Sequence, residues 1–278
     1  MTTGAVVDLD AAVGYVVARG DEVDRARLAY LRTGAVPDPG VVEVVESGQL
    51  PDAGWAGRAG DAVASVDATC FRLAELDDLG ALGRPAARQA MDWLATAQRG
   101  DGTWEEDPAL AEVAPPWAQP GVPEAQLYLT ALAGFWLAAG GLAARPGGPR
   151  DQRVGGSYAG MVAAAAEAVA ASLAADGTWP SYLVTGWLGA ALLHAQGRAP
   201  ESVRMRAVLR RRLDDINPSG VAWAISALRR LGVTTDDPLL VAGRQRLAAT
   251  QRSDGSWPSE DGDAFVVHAV LTAIRACR

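Results

Sequence analysis

A seven-residue phrase recurs along the chain. Gln98-Arg-Gly-Asp101-Gly102-Thr-Trp104 and Gln251-Arg-Ser-Asp254-Gly255-Ser-Trp257 are nearly identical. Leu173-Ala-Ala-Asp176-Gly177-Thr-Trp179 is a third copy without the Gln, and Gln49-Leu-Pro-Asp52-Ala-Gly54-Trp55 a fourth with Ala and Gly reordered. The four tryptophans lie 49, 75 and 78 residues apart. The last interval has room for a degenerate copy near Asp214 to Gly220, and the middle one carries a Pro-rich insertion, Pro108 to Pro123. Recurrence on this scale means one supersecondary unit stacked repeatedly, because each unit buries its apolar face only against its neighbours.

Each copy follows a run with helical periodicity, such as Ala86 to Gln98. Asp-Gly is expected to close that helix, since Gly takes the left-handed conformation a C-terminal cap needs. The Gln amide is placed to bond free carbonyls there, and the Trp to pack back on the helix end. A second, more apolar helix follows each Trp. Six candidates for such helices are Val7–Ala18, Ser65–Leu76, Glu124–Ala139, Ser181–Gln196, Ser219–Leu231 and Ala264–Cys277. More charged helices, such as Ser202–Leu213 and Pro238–Thr250, lie between them. Charged helices suit an outer ring and apolar ones an inner ring. The expected fold is all-α: a single α/α toroid of about six helix pairs over residues 1–278.

Composition agrees with this. Hydrophobic residues make up 49% and charged residues 21% of 278, the balance of a soluble globular protein. Abundant Ala, only 16 prolines and no long β-branched runs exclude an all-β fold. A net charge of −8 excludes a large nucleic-acid-binding surface. Cys70 and Cys277 have neither CxxC nor metal-ligand spacing, which fits a reducing compartment. The first ten residues lack a basic segment ahead of an apolar core, so a cytoplasmic protein is expected. Leu127 to Ala144 is uncharged for about 18 residues, the threshold of a membrane span. Glu124 and Arg145 bracket it and Gly140-Gly141 reads as a helix stop, so a buried helix is expected instead.

The Q-x-x-D-G-x-W phrases, their spacing and the alternation of helices resemble the prenyltransferase and squalene oxidase repeat. The resemblance runs from about Val41 to the end and implies the α/α toroid of squalene–hopene cyclases, class II diterpene cyclase domains and protein prenyltransferase β-subunits. It speaks for fold more than for function, because the repeat is structural. It also implies a central apolar cavity for an isoprenoid substrate, with peripheral membrane contact as a further expectation.

Class II cyclases protonate an alkene or epoxide with the middle aspartate of an Asp-x-Asp-Asp-Thr-type motif. Ser65-Val-Asp67-Ala-Thr69 resembles it, with Asp67 at the middle aspartate and Thr69 at the threonine. Ser65 and Ala68 replace the flanking aspartates, so Asp67 needs another partner. A lone carboxyl in an apolar cavity has its pKa raised by desolvation and can stay protonated. The plainer role for Asp67 is a helix N-cap or first-turn residue. Aromatic side chains near a carbocation stabilise it by about 1–2 kcal/mol each when water is excluded. Phe71, Tyr128, Phe135, Trp136, Tyr182, Trp187, Trp223 and Phe265 fall on the inner helices, where core packing is the competing role. The candidate substrate-binding set is Thr69, Phe71, Tyr128, Tyr182, Trp187, Trp223, Phe265 and His268.

His268 also resembles the zinc-ligand histidine of protein prenyltransferases, but the Asp-x-Cys those enzymes need is missing. It is left as a hydrogen-bond partner or base in the cavity, or an ordinary buried histidine. The pairs Asp77-Asp78, Asp214-Asp215 and Asp236-Asp237 never extend to Asp-Asp-x-x-Asp and read as solvated helix ends. No metal or other cofactor is expected, with magnesium entering only for a diphosphate-bearing substrate. Arginines of the Arg145–Arg153 loop are placed to meet a diphosphate or simply to solvate a loop. The functions left are a proton-initiated terpene cyclase-like enzyme, or a non-catalytic toroid that binds an isoprenoid or a partner protein.

Overall fold

Twelve α-helices and no β-strand form among the described residues of the computed structural model, which are 6–58, 60–143, 156–259, 262 and 265–278. The outer ring comprises α1 (Leu9–Arg19), α3 (Pro39–Glu46), α5 (Pro85–Ala97), α7 (Ala159–Ala171), α9 (Ala199–Arg211) and α11 (Pro238–Thr250). Inside it stand α2 (Glu22–Thr33), α4 (Val66–Asp78), α6 (Pro123–Ala143), α8 (Leu183–Ala195), α10 (Pro218–Arg230) and α12 (Val266–Cys277). Each inner helix packs on the next, and α12 packs back on α2. The ring is closed.

Local chemistry starts these helices where the sequence says it should. Asp8, Asp21, Asp38, Ser65, Asn217 and Asp237 each accept a backbone N–H at an N-cap, and Pro occupies the first turn of α3, α5, α9, α10 and α11. The recurring turns then join one outer helix to the next. Gln98 Nε2 donates to Gly102 O within its own turn and to Met161 O on α7. Gln49 bridges in the same way to Ala86 O on α5. Gln251 closes the circuit, donating to Asp8 O and accepting Asp8 N–H, both at 2.8 Å. Trp104 and Trp257 are fully buried, and each indole donates to the helix just ended, at Leu94 O and Leu247 O. Near Asp214, where the phrase is lost, Arg246 of α11 instead donates to Asp214 O and Ile216 O.

Several expectations need correction. The first inner helix is α2, whereas Val7–Ala18 falls on the outer α1. Charge misleads here because Arg27 of α2 is buried in an ion pair with Glu75 of α4. Asp-Gly does not cap the helix, which has already ended at Ala97 or Thr250. Its Gly sits in the following turn at φ +84 (Gly102) or +87 (Gly255), where a Cβ would strike the backbone of α7 or α1. Gly140-Gly141 stops nothing, since α6 runs on to Ala143. The Met91 thioether of α5 packs onto Gly140, so a side chain there would have to displace it. No described helix is long and apolar enough to cross a membrane, and the apolar stretch of α6 is buried in the ring.

Asp77-Asp78 is not a solvated end either. Both are buried, and Asp77 is paired with Arg230 of α10 and Arg275 of α12, while Asp78 is paired with Arg275. All these residues lie in last turns. The inner helices are therefore parallel, with an ionic floor bridging the ring at their C-terminal end, opposite an N-terminal mouth.

Candidate active site

Asp67 lies at that mouth, in the first turn of α4. Ser65 is the N-cap, accepting Ala68 N–H on its Oγ, so Asp67 is released from capping. Its Oδ1 accepts the Tyr128 hydroxyl of α6 at 2.8 Å, and its Oδ2 accepts the Trp117 indole N–H at 3.1 Å. Protein surrounds the carboxyl closely even though the residue as a whole is half-buried. Burial pushes its pKa above the ordinary carboxylate value, while the bonds from Trp117 and Tyr128, which favour the ionised form, pull it partway back.

The acids missing beside Asp67 in sequence are answered by Glu106. Its carboxylate, 3% exposed, accepts Ser65 Oγ–H at 2.7 Å, Val66 N–H at 2.8 Å and Asp67 N–H at 3.0 Å. Burial raises Glu106 too, opposed by those bonds and reinforced by the charge of Asp67. Neither Glu106 nor Trp117 was foreseen. Glu106 sits two residues past a repeat Trp, and Trp117 belongs to the Pro-rich insertion, which folds over the mouth as two 3-10 turns, Pro108–Leu110 and Pro116–Ala118. Pro116 O accepts the Tyr182 hydroxyl at 3.1 Å, pinning the insertion to α8. Two open clefts flank this region. One of about 440 Å³ is lined by Asp61, Ser65, Glu112 and Pro115, and one of about 400 Å³ by Val66, Trp93, Glu105 and Glu106.

The aromatic candidates meet in pairs from one element to another. Tyr128 meets Tyr182 edge-on at 6.2 Å, and Trp187 of α8 meets Trp223 of α10 at 5.7 Å. Phe71, 48% exposed, lies 6.2 Å from the His268 ring of α12. That contact joins α4 to α12 past α2, which packs on both. Trp187 Nε1 is buried without a partner among the described residues. Phe265 is exposed at the rim, before α12 begins. Phe135 and Trp136 stack edge-on deep in α6 as core. Thr69 is removed from the lumen: fully buried, its Oγ1 accepts Trp55 N–H at 2.9 Å, as Thr130 accepts Trp104 N–H. It serves the repeat. The Arg145–Arg153 loop lies outside the described residues. No cluster of three His, Cys, Asp or Glu with metal-site geometry occurs among the described residues, and Cys70 and Cys277 are free thiols.

Among solved structures, one similar to this chain is a protein from Actinoplanes, with TM-score 0.60 and 18% identity over 97% of each chain. Another is the type II terpene cyclase MstE from Scytonema, with TM-score 0.56 and 16% identity over 97% of this chain and 96% of that one. This chain has a terpene cyclase-like fold. An arginine-to-alanine variant of MstE, in complex with its substrate geranylgeranyl dihydroxybenzoate, aligns with TM-score 0.56 and 18% identity over 97% and 95% of the two chains. No family model and no curated protein sequence matches the chain.

Proposed function

We propose that this protein is a type II terpene cyclase-like enzyme, in which Asp67 protonates the terminal alkene of an isoprenoid chain held in the lumen. The observation that carries this reading is the environment of Asp67: a desolvated carboxyl whose two oxygens each face a donor, Tyr128 and Trp117. Burial raises the pKa of the acid and so favours its protonated form. Once the proton leaves for the alkene carbon, both donors are already placed to stabilise the carboxylate, with no reorganisation required. The tertiary cation formed is then attacked by the next alkene of the chain, closing a ring. Trp223, Phe71 and Tyr182 offer π faces to the moving charge. The Pro-rich insertion covers the mouth and limits water, which would otherwise quench the cation. The fold shared with MstE, whose substrate carries a geranylgeranyl chain, supports an isoprenoid substrate here too.

The test is Asp67→Asn, with farnesyl, geranylgeranyl and squalene-type substrates incubated with purified protein. The wild type is expected to release cyclic products, and the variant to fold normally while losing at least about 10²–10⁴ in rate. Equal rates would overturn Asp67 as the donor. A wild type that binds a prenyl chain and turns over nothing would favour a binding toroid, the reading to which the substitution of both flanking acids (Ser65, Ala68) points.

A further inference from the structure

A reaction begun by adding a proton ends, for an alkene product, by losing one. Asp67 cannot easily take it back, because the ring closures carry the cation away from the first carbon protonated. A second acceptor within the lumen is needed. Phe71 stands four residues after Asp67, on the same face of α4 one turn toward the floor. Against its ring lies the imidazole of His268, with centroids 6.2 Å apart and planes at 36°. His268 is half-buried, in the first turn of α12, and its ring nitrogens have no hydrogen bond to any described residue. Only its backbone O is engaged, by Thr272 Oγ1. The other histidine of the chain, His194, is in the last turn of α8, toward the floor.

The acids farther along α4 are already committed. Glu75 is paired with Arg27 and Arg72, and Asp77 and Asp78 with Arg230 and Arg275. Beside Phe71, the His268 imidazole is a base whose ring nitrogens no described residue occupies.

Resting on the function proposed above, we infer that His268 is the catalytic base that ends the reaction. In that step the C–H bond on the carbon next to the cation breaks, and its electron pair becomes the C=C bond of the product. The proton passes to the imidazole nitrogen. The imidazolium afterwards releases it to water at the mouth, and Asp67 regains a proton from solvent. One proton enters and one leaves, so the product is an isomer of the substrate. Phe71, whose ring lies against the imidazole, offers its π face to the cation that arrives beside the base.

The experiment compares wild type, His268→Phe and His268→Gln with the same prenyl substrates, resolving products by gas chromatography and mass spectrometry. Phe preserves the aromatic contact with Phe71 and Gln preserves polarity, so a folding defect common to neither is recognised by circular dichroism. In both variants, total turnover should fall roughly threefold to tenfold. The wild-type alkene should drop below about one tenth of products, replaced by alcohols from water capture or by alkenes with the double bond elsewhere. An unchanged product ratio in both variants would overturn His268 as the base and leave Asp67 initiation standing. A wild type that forms no cyclic product from any substrate would overturn the function itself, and the inference with it.

Discussion

The Glu106 carboxylate accepts the backbone N–H of Asp67 at 3.0 Å, so one buried acid fixes the helix turn that carries another. Replacing Glu106 by Ala strands Ser65 Oγ–H, Val66 N–H and Asp67 N–H around a buried gap. Each hydrogen bond to a charged group contributes about 1.5–3 kcal/mol. Glu106→Ala should therefore lose at least about 3 kcal/mol in urea unfolding, and Glu106→Gln, which keeps an acceptor oxygen, about half of that. Equal losses would mean that the charge and the bonds contribute nothing separable.

The pH response follows from the same pair. Asp67 and Glu106 both have pKa values raised in the folded state above those of the unfolded chain. Their stabilising contribution is full below the unfolded carboxylate values and is lost as pH rises through the folded ones. Urea midpoints of the wild type should thus increase on acidification from neutral pH toward the ordinary carboxylate range. The Asp67→Asn, Glu106→Gln double variant should show a flatter dependence, and parallel curves would contradict the shifts.

Activity should carry its own signature. Under the proposed function protonated Asp67 is the active form, so kcat/KM should fall as pH rises through its raised pKa. Tyr128 lowers that pKa by favouring the carboxylate. Tyr128→Phe should therefore move the falling limb to higher pH while reducing the plateau rate, because the weaker acid donates less readily. A limb displaced to lower pH would show that the hydroxyl acts in some other way.

Truncating Trp104 or Trp257 to Ala should cost about 3–5 kcal/mol, the usual loss for a fully buried aromatic. Trp179 of the third copy is only half-buried and donates to Tyr182 O beside it, so its truncation should cost clearly less. Thermal unfolding of the three variants orders them directly.

At the floor, Asp77→Ala removes the shared partner of Arg230 and Arg275. With Arg275 still paired to Asp78 and the Arg230 side chain 35% exposed, the loss should exceed about 1 kcal/mol yet stay below the about 3–5 kcal/mol of a buried charge left with no partner. Arg230→Ala should cost under about 1 kcal/mol, since Arg230 is the more exposed and Arg275 still holds Asp77. The inequality between the two variants is the measurement that matters.

Much of the ring was legible because the repeat turn is local chemistry. Gln98, Asp101, Gly102 and Trp104 act within a few residues and against the next outer helix, so similar letters mark similar geometry. At the candidate site the sequence marked Asp67 and the inner aromatics, but not the groups that surround Asp67. Glu106 and Trp117 reach Asp67 from 39 and 50 residues away, one just past a repeat Trp and the other in an insertion that no repeat marks. Thr69 misled because its motif position suggests a lumen role, whereas its hydroxyl is taken by Trp55 N–H. The floor was missed for the same reason in reverse: Asp77-Asp78 looks solvent-bound until α10 and α12, more than 150 residues on, bring their arginines to it.

The seam at which Gln251 grips Asp8 has a cost in time. It joins groups 243 positions apart, and α12 must seat against both α1 and α2, which lie more than 200 residues before it. Until then the nascent chain is an open arc, with the flanks of α2 and α10 bare where α12 will lie. Such long-range closure is slow, since the entropy of bringing the ends together must be lost before any contact repays it. The arc is the species most exposed to self-association. Its lifetime, more than the stability of the finished ring, will set how much soluble protein a cell recovers.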